Sequence, residues 1–161
     1  MIQGKILSYN DDLSKVQHIR NQVILDENGD PKELNQNLND DQNLKDEFSL
    51  YAIVFESNEE TEAVASARMY YDGEKIWIDQ IAVLKEHRQK GYGDFLMKML
   101  ISKAQVSNFS TVYMKAPAAY IDFFKKLGFI SLEEVYWIAK IKHVKMYLNT
   151  EDFLPPCKKR K

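Results

Sequence analysis

The sequence of 161 residues has a single cysteine, Cys157, and no long apolar run. One cysteine cannot form an internal disulfide, and because no metal-ligand or redox spacing surrounds it, reactive-thiol chemistry is not expected. No stretch approaches the ~18 consecutive apolar residues that cross a bilayer. Residues 1–5 also lack the apolar region of a signal peptide. These absences predict a cytoplasmic protein without a membrane partner.

Charge is nearly balanced overall but unevenly distributed. The formal net charge of −2 is not typical of a specific nucleic-acid-binding protein. Residues 26–47 hold eight carboxylates against two lysines, whereas residues 158–161 are all basic. The acidic segment would attract a cationic ligand, or it simply keeps a loop solvated. The basic tail would give only non-specific affinity for nucleic acid.

The length and the hydrophobic content of 45% suit one compact domain. We expect this domain to span residues 1–154, and we expect the basic tail at 155–161 to be disordered.

Periodic apolar residues predict a mixed α/β arrangement. Strands are predicted at 1–9, 48–56, 62–71, 75–83, 111–114, 130–139 and 141–148, and helices at 12–26, 91–106 and 117–127. Short turns join three consecutive strands into an antiparallel meander, whereas a strand-helix-strand order requires a parallel crossover. The prediction is therefore a mixed, mostly antiparallel sheet of about seven strands flanked by helices.

Two helix ends are marked by residues that break helices. Residues 28–31, Asn-Gly-Asp-Pro, end the first helix, and the polar run that follows predicts a long loop as far as Glu47. Gly128 is predicted to close the third helix in the left-handed conformation that glycine adopts without strain.

Residues 88–93, Arg-Gln-Lys-Gly-Tyr-Gly, lie between a predicted strand and a predicted helix. The first N–H groups of a helix lack partners inside it and carry the positive end of its dipole, so this junction favours an anion. Gly91 and Gly93 leave those amides accessible, and Arg88 and Lys90 add positive charge. A pyrophosphate-bearing cofactor would fit, although the spacing alone is also typical of a helix start with glycines for close packing.

Two segments resemble the conserved motifs of the GNAT acetyltransferase superfamily. Residues 78–83, Ile-Asp-Gln-Ile-Ala-Val, followed by residues 88–93 are similar to its motif A, and residues 123–129, Phe-Phe-Lys-Lys-Leu-Gly-Phe, are similar to the end of its motif B. Residues 23–34 and 141–146 further resemble the small bacterial branch typified by the ElaA and YjcF proteins. The superfamily resemblance implies the acyl-CoA N-acyltransferase fold.

The resemblance also implies a substrate and its site. Acetyl-CoA would lie in a gap between the strands at 75–83 and 111–114, with Ile81 and Val83 pairing with the pantetheine arm and residues 89–94 holding the pyrophosphate. The implied contacts are Ile81, Ala82, Val83, Arg88, Gln89, Lys90, Gly91, Tyr92, Gly93, Asp94 and Phe124. The expected reaction is direct acetyl transfer to a primary amine of a small molecule or peptide in a ternary complex.

The implied catalytic residues are Asp79 and Tyr120. Asp79 occupies a position that often supplies the base in this superfamily, although a charge on a neighbouring strand could instead pair with it. The usual acid, a tyrosine in motif B, is replaced by Phe124, which has no proton to donate. Tyr120 lies four residues earlier, on the same face of the predicted helix, and solvent is the alternative proton source.

Three further expectations complete the prediction. No cluster of histidine, cysteine and carboxylate residues indicates a metal. Because Trp77 and Phe124 occupy positions where the superfamily often has reactive side chains, an acetyl-CoA sensor without turnover is the alternative function. The apolar residues of the last two strands favour a homodimer.

Overall fold

The computed structural model describes residues 3–28, 48–56, 62–138 and 140–153. Its strands are β1 (Gln3–Ser8), β2 (Ser49–Phe55), β3 (Ala63–Tyr71), β4 (Ile76–Val83), β5 (Thr111–Pro117), β6 (Ile130–Ile138) and β7 (Ile141–Asn149), and its helices are α1 (Ser14–Asn28), α2 (Tyr92–Val106) and α3 (Ile121–Leu127). The strands form one sheet in the order β1-β2-β3-β4-β5-β7-β6, with β4 and β5 parallel and the other neighbours antiparallel. The predicted fold class is confirmed.

Helices cover both faces of the sheet. Val16, Ile19 and Val23 follow one another at steps of three and four, so they line one side of α1, where they are buried against β2. The helices α2 and α3 pack on the opposite face and enclose the larger core. We call the side of the sheet that bears α1 the α1 face. None of the described helices is long and apolar enough to span a bilayer.

Strands β4 and β5 separate after three residue pairs. Their parallel pairing ends with Ile78 opposite Met114, while β4 continues to Val83 and β5 to Pro117. A bulge lies just beyond this point, because Gln80 has a φ of 54° and the register with β3 shifts there. The sheet therefore opens into a gap between β4 and β5, as the resemblance implied.

The third helix is shorter than predicted. Pro117 has a ψ of 134°, so it extends β5, and a 3-10 turn at 118–120 precedes the start of α3 at Ile121. Proline also disfavours a helical conformation of the residue before it. The prediction of a helix from 117 is therefore wrong at its beginning.

The end of α3 is as predicted. Gly128 has a φ of 111°, its N–H donates to the carbonyl of Lys125, and the N–H of Phe129 donates to the carbonyl of Phe124. These two bonds are those of a Schellman motif, in which an apolar contact commonly joins the same two ends. The Phe124 and Phe129 rings make this contact, with 6.2 Å between centroids.

Candidate functional site

The loop before α2 has the backbone shape of an anion cradle. Gln89 and Gly91 are left-handed, with φ of 63° and 88°. Gly91 caps α2, and its carbonyl accepts the first intrahelical bond, from the N–H of Phe95 at 3.1 Å. The N–H groups of residues 92–94 therefore precede the helical ladder and are available to an anion. Residues 89–94 therefore have the backbone that an anion site requires, and their role in holding a pyrophosphate stays a prediction.

The cradle is open where a ligand would enter. A Cβ atom added to Gly91 would meet no described atom within 4 Å. A Cβ on Gly93 would lie 3.4 Å from the Phe123 ring, which therefore borders the cradle. The left-handed backbone, the free space and the exposed amides together fit a pyrophosphate group.

Basic side chains flank this cradle. The Arg88 Nε donates to the carbonyl of Val83 at 3.0 Å, which ties the loop to the end of β4. The Lys90 side chain is 48% exposed, with its Nζ 4.0 Å from a Glu56 carboxylate oxygen that also contacts His87. Such a long, exposed ion pair is weak, so Lys90 can turn toward an anion at little cost.

The predicted pantetheine contacts lie on the part of β4 that has diverged from β5. Val83 pairs with Ala65 on β3, and Ala82, only 6% exposed, packs in the cluster beneath α1. Ile81 is half-buried against the opposite core. Residues 81–83 all lie beyond Ile78, the last β4 residue that pairs with β5. The edge of β4 that pairs with β5 up to Ile78 therefore borders the gap at residues 81–83.

Asp79 makes a two-pronged ion pair on the α1 face. Its carboxylate accepts from Arg68 Nε at 2.8 Å and from the second guanidinium nitrogen at 2.7 Å. Burial lowers the pKa of Arg68, but the hydrogen bonds and charge of Asp79 outweigh burial and raise it above its ordinary value. The sequence allowed two roles for Asp79, a catalytic base or a partner for a charge on a neighbouring strand, and the structure shows the charge pairing. Asp79 lies one residue beyond the end of β4–β5 pairing, at the mouth of the gap.

The other two predicted residues are separated. Tyr120 lies in the 3-10 turn before α3 and is 50% exposed, whereas Phe124 is 3% exposed and belongs to the core. The inference that both share one helical face is wrong, because the helix begins after Tyr120. In this structure Phe124 packs in the core against Phe129, and Phe123 is the motif B residue that borders the cradle.

Several site residues escaped the sequence analysis. Arg68 was not singled out, although an arginine alternating with apolar residues on β3 is a signal of a half-buried charge. Phe123 was quoted only as part of a motif. Lys115 and Lys145 lie opposite each other on β5 and β7, a pairing that no local pattern reveals. Among the described side chains, no group of three or more histidines, cysteines and carboxylates is placed to hold a metal.

Solved structures share this architecture. Escherichia coli ElaA superposes with a TM-score of 0.72 at 21% identity, over 91% of this chain and 99% of that one. An acyl-CoA N-acyltransferase from Pseudomonas aeruginosa gives 0.73 at 17% identity, over 92% and 99%. At these identities the likeness concerns the fold alone.

Sequence comparisons are more specific. The model of the acetyltransferase (GNAT) family matches residues 16–129, a range that contains the gap and the cradle. YjcF of Bacillus subtilis, named as an uncharacterized N-acetyltransferase, is 30% identical over 129 aligned positions, and the match covers 66% of this chain and 92% of that protein.

Proposed function

The chain belongs to the acetyltransferase (GNAT) family and is an acyltransferase, and from this premise we propose that it moves an acetyl group from acetyl-CoA to a primary amine of a small molecule or peptide. The observation that carries the proposal is the open cradle at residues 89–94 beside the β4–β5 gap. A nucleotide pyrophosphate would occupy the cradle, and an extended pantetheine arm would occupy the gap.

The proposed donor site uses mainly the backbone. Residues 89–94 and the side chains of Arg88 and Lys90 would hold the pyrophosphate, and the free edge of β4 at residues 81–83 would hold the pantetheine arm. Phe123, beside Gly93, would limit the cradle on one side. Phe124 supports this wall from the core. When bound, acetyl-CoA supplies an activated thioester carbonyl.

Two residues beside the gap would accept and donate the protons that acetyl transfer requires. The amine must lose one proton as the new carbon–nitrogen bond forms, and the thiolate must gain one as the carbon–sulfur bond breaks. We assign Asp79 as the group that accepts the first proton, through water, with Arg68 fixing the carboxylate. Each carboxylate oxygen retains a second lone pair that can accept a further hydrogen bond.

Tyr120 is the proposed source of the second proton. A Tyr120→Phe substitution is expected to lower kcat by about 10-fold and to leave the KM for acetyl-CoA unchanged. The expected loss is smaller than for a buried acid, because water can also supply the proton at this half-exposed position. The matched control is Tyr9→Phe, since Tyr9 is 41% exposed and lies at the far edge of the sheet. Equal rates for both variants would assign the proton to solvent.

The direct test is release of free coenzyme A thiol from acetyl-CoA in the presence of an amine panel. Thiol release that depends on an amine, with the acetylated amine identified by mass spectrometry, supports the proposal. Binding of acetyl-CoA without release against any amine would instead indicate a sensor. The cytoplasmic location and the cationic acceptor expected from the sequence stay predictions, and residues 29–47, which carry most of that acidic charge, lie outside the described residues.

A homodimer is proposed through β6. This strand forms one edge of the sheet, and five apolar side chains on or next to it are more than a third exposed, with Trp137 at 70%. Exposed, apolar edge strands favour pairing with a second copy. Light scattering is expected to give the mass of a dimer for the wild type and of a monomer for Trp137→Lys. A Val106→Lys control, also on an exposed apolar residue, should remain dimeric.

A further inference from the structure

The α1 face beyond α1 bears a group of lysines and aromatic rings at the point where β4 and β5 separate. Lys115 directly follows Met114, the last β5 residue that pairs with β4. Lys115 and Asp79 therefore stand on the two sides of the opening. Strand alternation places both on the α1 face, because Ile78 and Met114 are buried on the other. We call the group formed by Trp77, Tyr113, Lys115, Tyr136 and Lys145 the lysine-aromatic patch.

The two lysines are held close together. Lys115 and Lys145 are directly opposite in the antiparallel register of β5 and β7, where like charges destabilise a sheet. Both ammonium groups lie over the same indole ring, with Nζ at 5.4 Å and 5.5 Å from the Trp77 centroid. Lys115 also lies 4.5 Å from the Tyr136 centroid. Both charges therefore lie beside the same indole ring.

The positive charge of the patch is only partly neutralised. A bulge in β6 places Glu134 with its Oε2 3.6 Å from Lys145 Nζ, and the Tyr136 hydroxyl donates to the same oxygen. This hydrogen bond and the charge of Lys145 lower the pKa of Glu134. In the described part of the chain, Lys115 has ring contacts and no carboxylate within ion-pair distance.

Dehydration strengthens the case for an anionic ligand. The Lys145 side chain is 13% exposed, and an ammonium removed from water gains more from an anion than an exposed one. A carboxylate above Trp77 would relieve the repulsion between the two lysines. It would also leave the remainder of the same molecule at the mouth of the gap.

We propose that the acceptor is a primary amine that also carries a carboxylate, as an amino acid does, and that Lys115 and Lys145 bind this carboxylate over Trp77. The inference rests on the proposed acetyl transfer and names its acceptor class. The amine would reach the opening beside Asp79 while its carboxylate is held on β5 and β7. Neutral or purely cationic amines lack this second contact.

The test compares pairs of amines that differ by one carboxylate: β-alanine with ethylamine, γ-aminobutyrate with propylamine, and phenylalanine with phenethylamine. The expected kcat/KM ratio is about 10- to 100-fold in favour of the carboxylate, the effect of charge-assisted hydrogen bonds. Lys115→Gln and Lys145→Gln should bring this ratio close to one. Lys142→Gln removes the same charge from β7 but on the opposite face, so its ratio should stay that of the wild type.

A binding measurement separates this inference from the acetyl-transfer proposal. The sequence has two tryptophans, so a Trp137→Phe variant keeps Trp77 as its only tryptophan. The fluorescence of Trp77 in this variant should change on titration with γ-aminobutyrate but not with propylamine. Turnover of both members of each pair at equal kcat/KM would overturn the acceptor class and leave acetyl transfer intact. Absence of turnover together with a carboxylate-specific, Lys115-dependent fluorescence change would support the patch and overturn acetyl transfer. If Trp77 fluorescence does not change and kcat/KM shows no preference for the carboxylate-bearing amines, the proposal that the lysine-aromatic patch binds a carboxylate would be wrong.

Discussion

A Gly91→Glu variant is expected to lose acetyl-CoA binding while keeping its fold. The new carboxylate would enter the open space above the cradle, where a Cβ meets nothing within 4 Å, and would repel the pyrophosphate. Because Gly91 has a φ of 88°, a side chain there also costs about 1–2 kcal/mol of backbone strain. Together these effects should weaken the Kd for acetyl-CoA at least ~100-fold, as measured by isothermal titration.

The matched control is Gly73→Glu. Gly73 also has a positive φ, 100°, and open space at its Cβ, but it lies in the β3–β4 turn at the opposite end of β4. Both variants carry the same added charge and comparable strain, so their thermal unfolding should shift by similar amounts. Equal loss of binding in both would mean that charge or instability is responsible, and unchanged binding by Gly91→Glu would show that the cradle does not hold the donor.

Local sequence patterns were sufficient for the elements of the fold. Periodic apolar residues located all seven strands and the first two helices. These signals succeed because each depends on residues that are neighbours in the chain. The start of the third helix failed because Pro117 permits two readings: proline suits the first turn of a helix and also an extended strand end.

The backbone shape of the proposed donor site was predictable for the same reason. Gly91 and the flanking basic residues form the cradle from one short segment, and their backbone function depends little on distant neighbours. The proposed acceptor side is assembled from β3, β4, β5 and β7. Its contacts, such as Arg68 with Asp79 and Lys115 with Lys145, depend on strand register, and register is set by the pairing of whole strands rather than by local sequence.

The proposed donor and acceptor sides meet at one structural feature, the separation of β4 from β5. The bulge at Gln80 turns the end of β4 away from its earlier course. One consequence is the strand edge of β4 beyond Ile78, which we propose for the donor, and the other is the opening between Asp79 and Lys115, which we propose for the acceptor. Both halves of the proposed reaction therefore depend on the same three-pair contact between parallel strands.

Substitution of Asp79 by asparagine is expected to lower both stability and turnover. The Arg68 side chain is only 11% exposed, and it would lose the carboxylate that neutralises it. The buried Arg20 side chain would add repulsion. Burial lowers the pKa of Arg20, and the positive charge of Arg68 lowers it further. Breaking a buried ion pair costs ~3–5 kcal/mol. Because Asp79 is 32% exposed, we expect about 2–3 kcal/mol, measured by urea denaturation.

Measurements of kcat can show whether the Asp79 carboxylate acts as a base or only stabilises the structure. As a general base, Asp79 should contribute about 100-fold to kcat, whereas Arg68→Met breaks the same ion pair and leaves the carboxylate in place. Arg68→Met should also be the less destabilised variant, because Arg20 can then partner Asp79. With both variants assayed well below their melting temperatures, a kcat deficit much larger in Asp79→Asn than in Arg68→Met, which loses only the orientation of the carboxylate, would support the base. Similar deficits in both would mean that the carboxylate acts only by holding Arg68 and the α1 face in place.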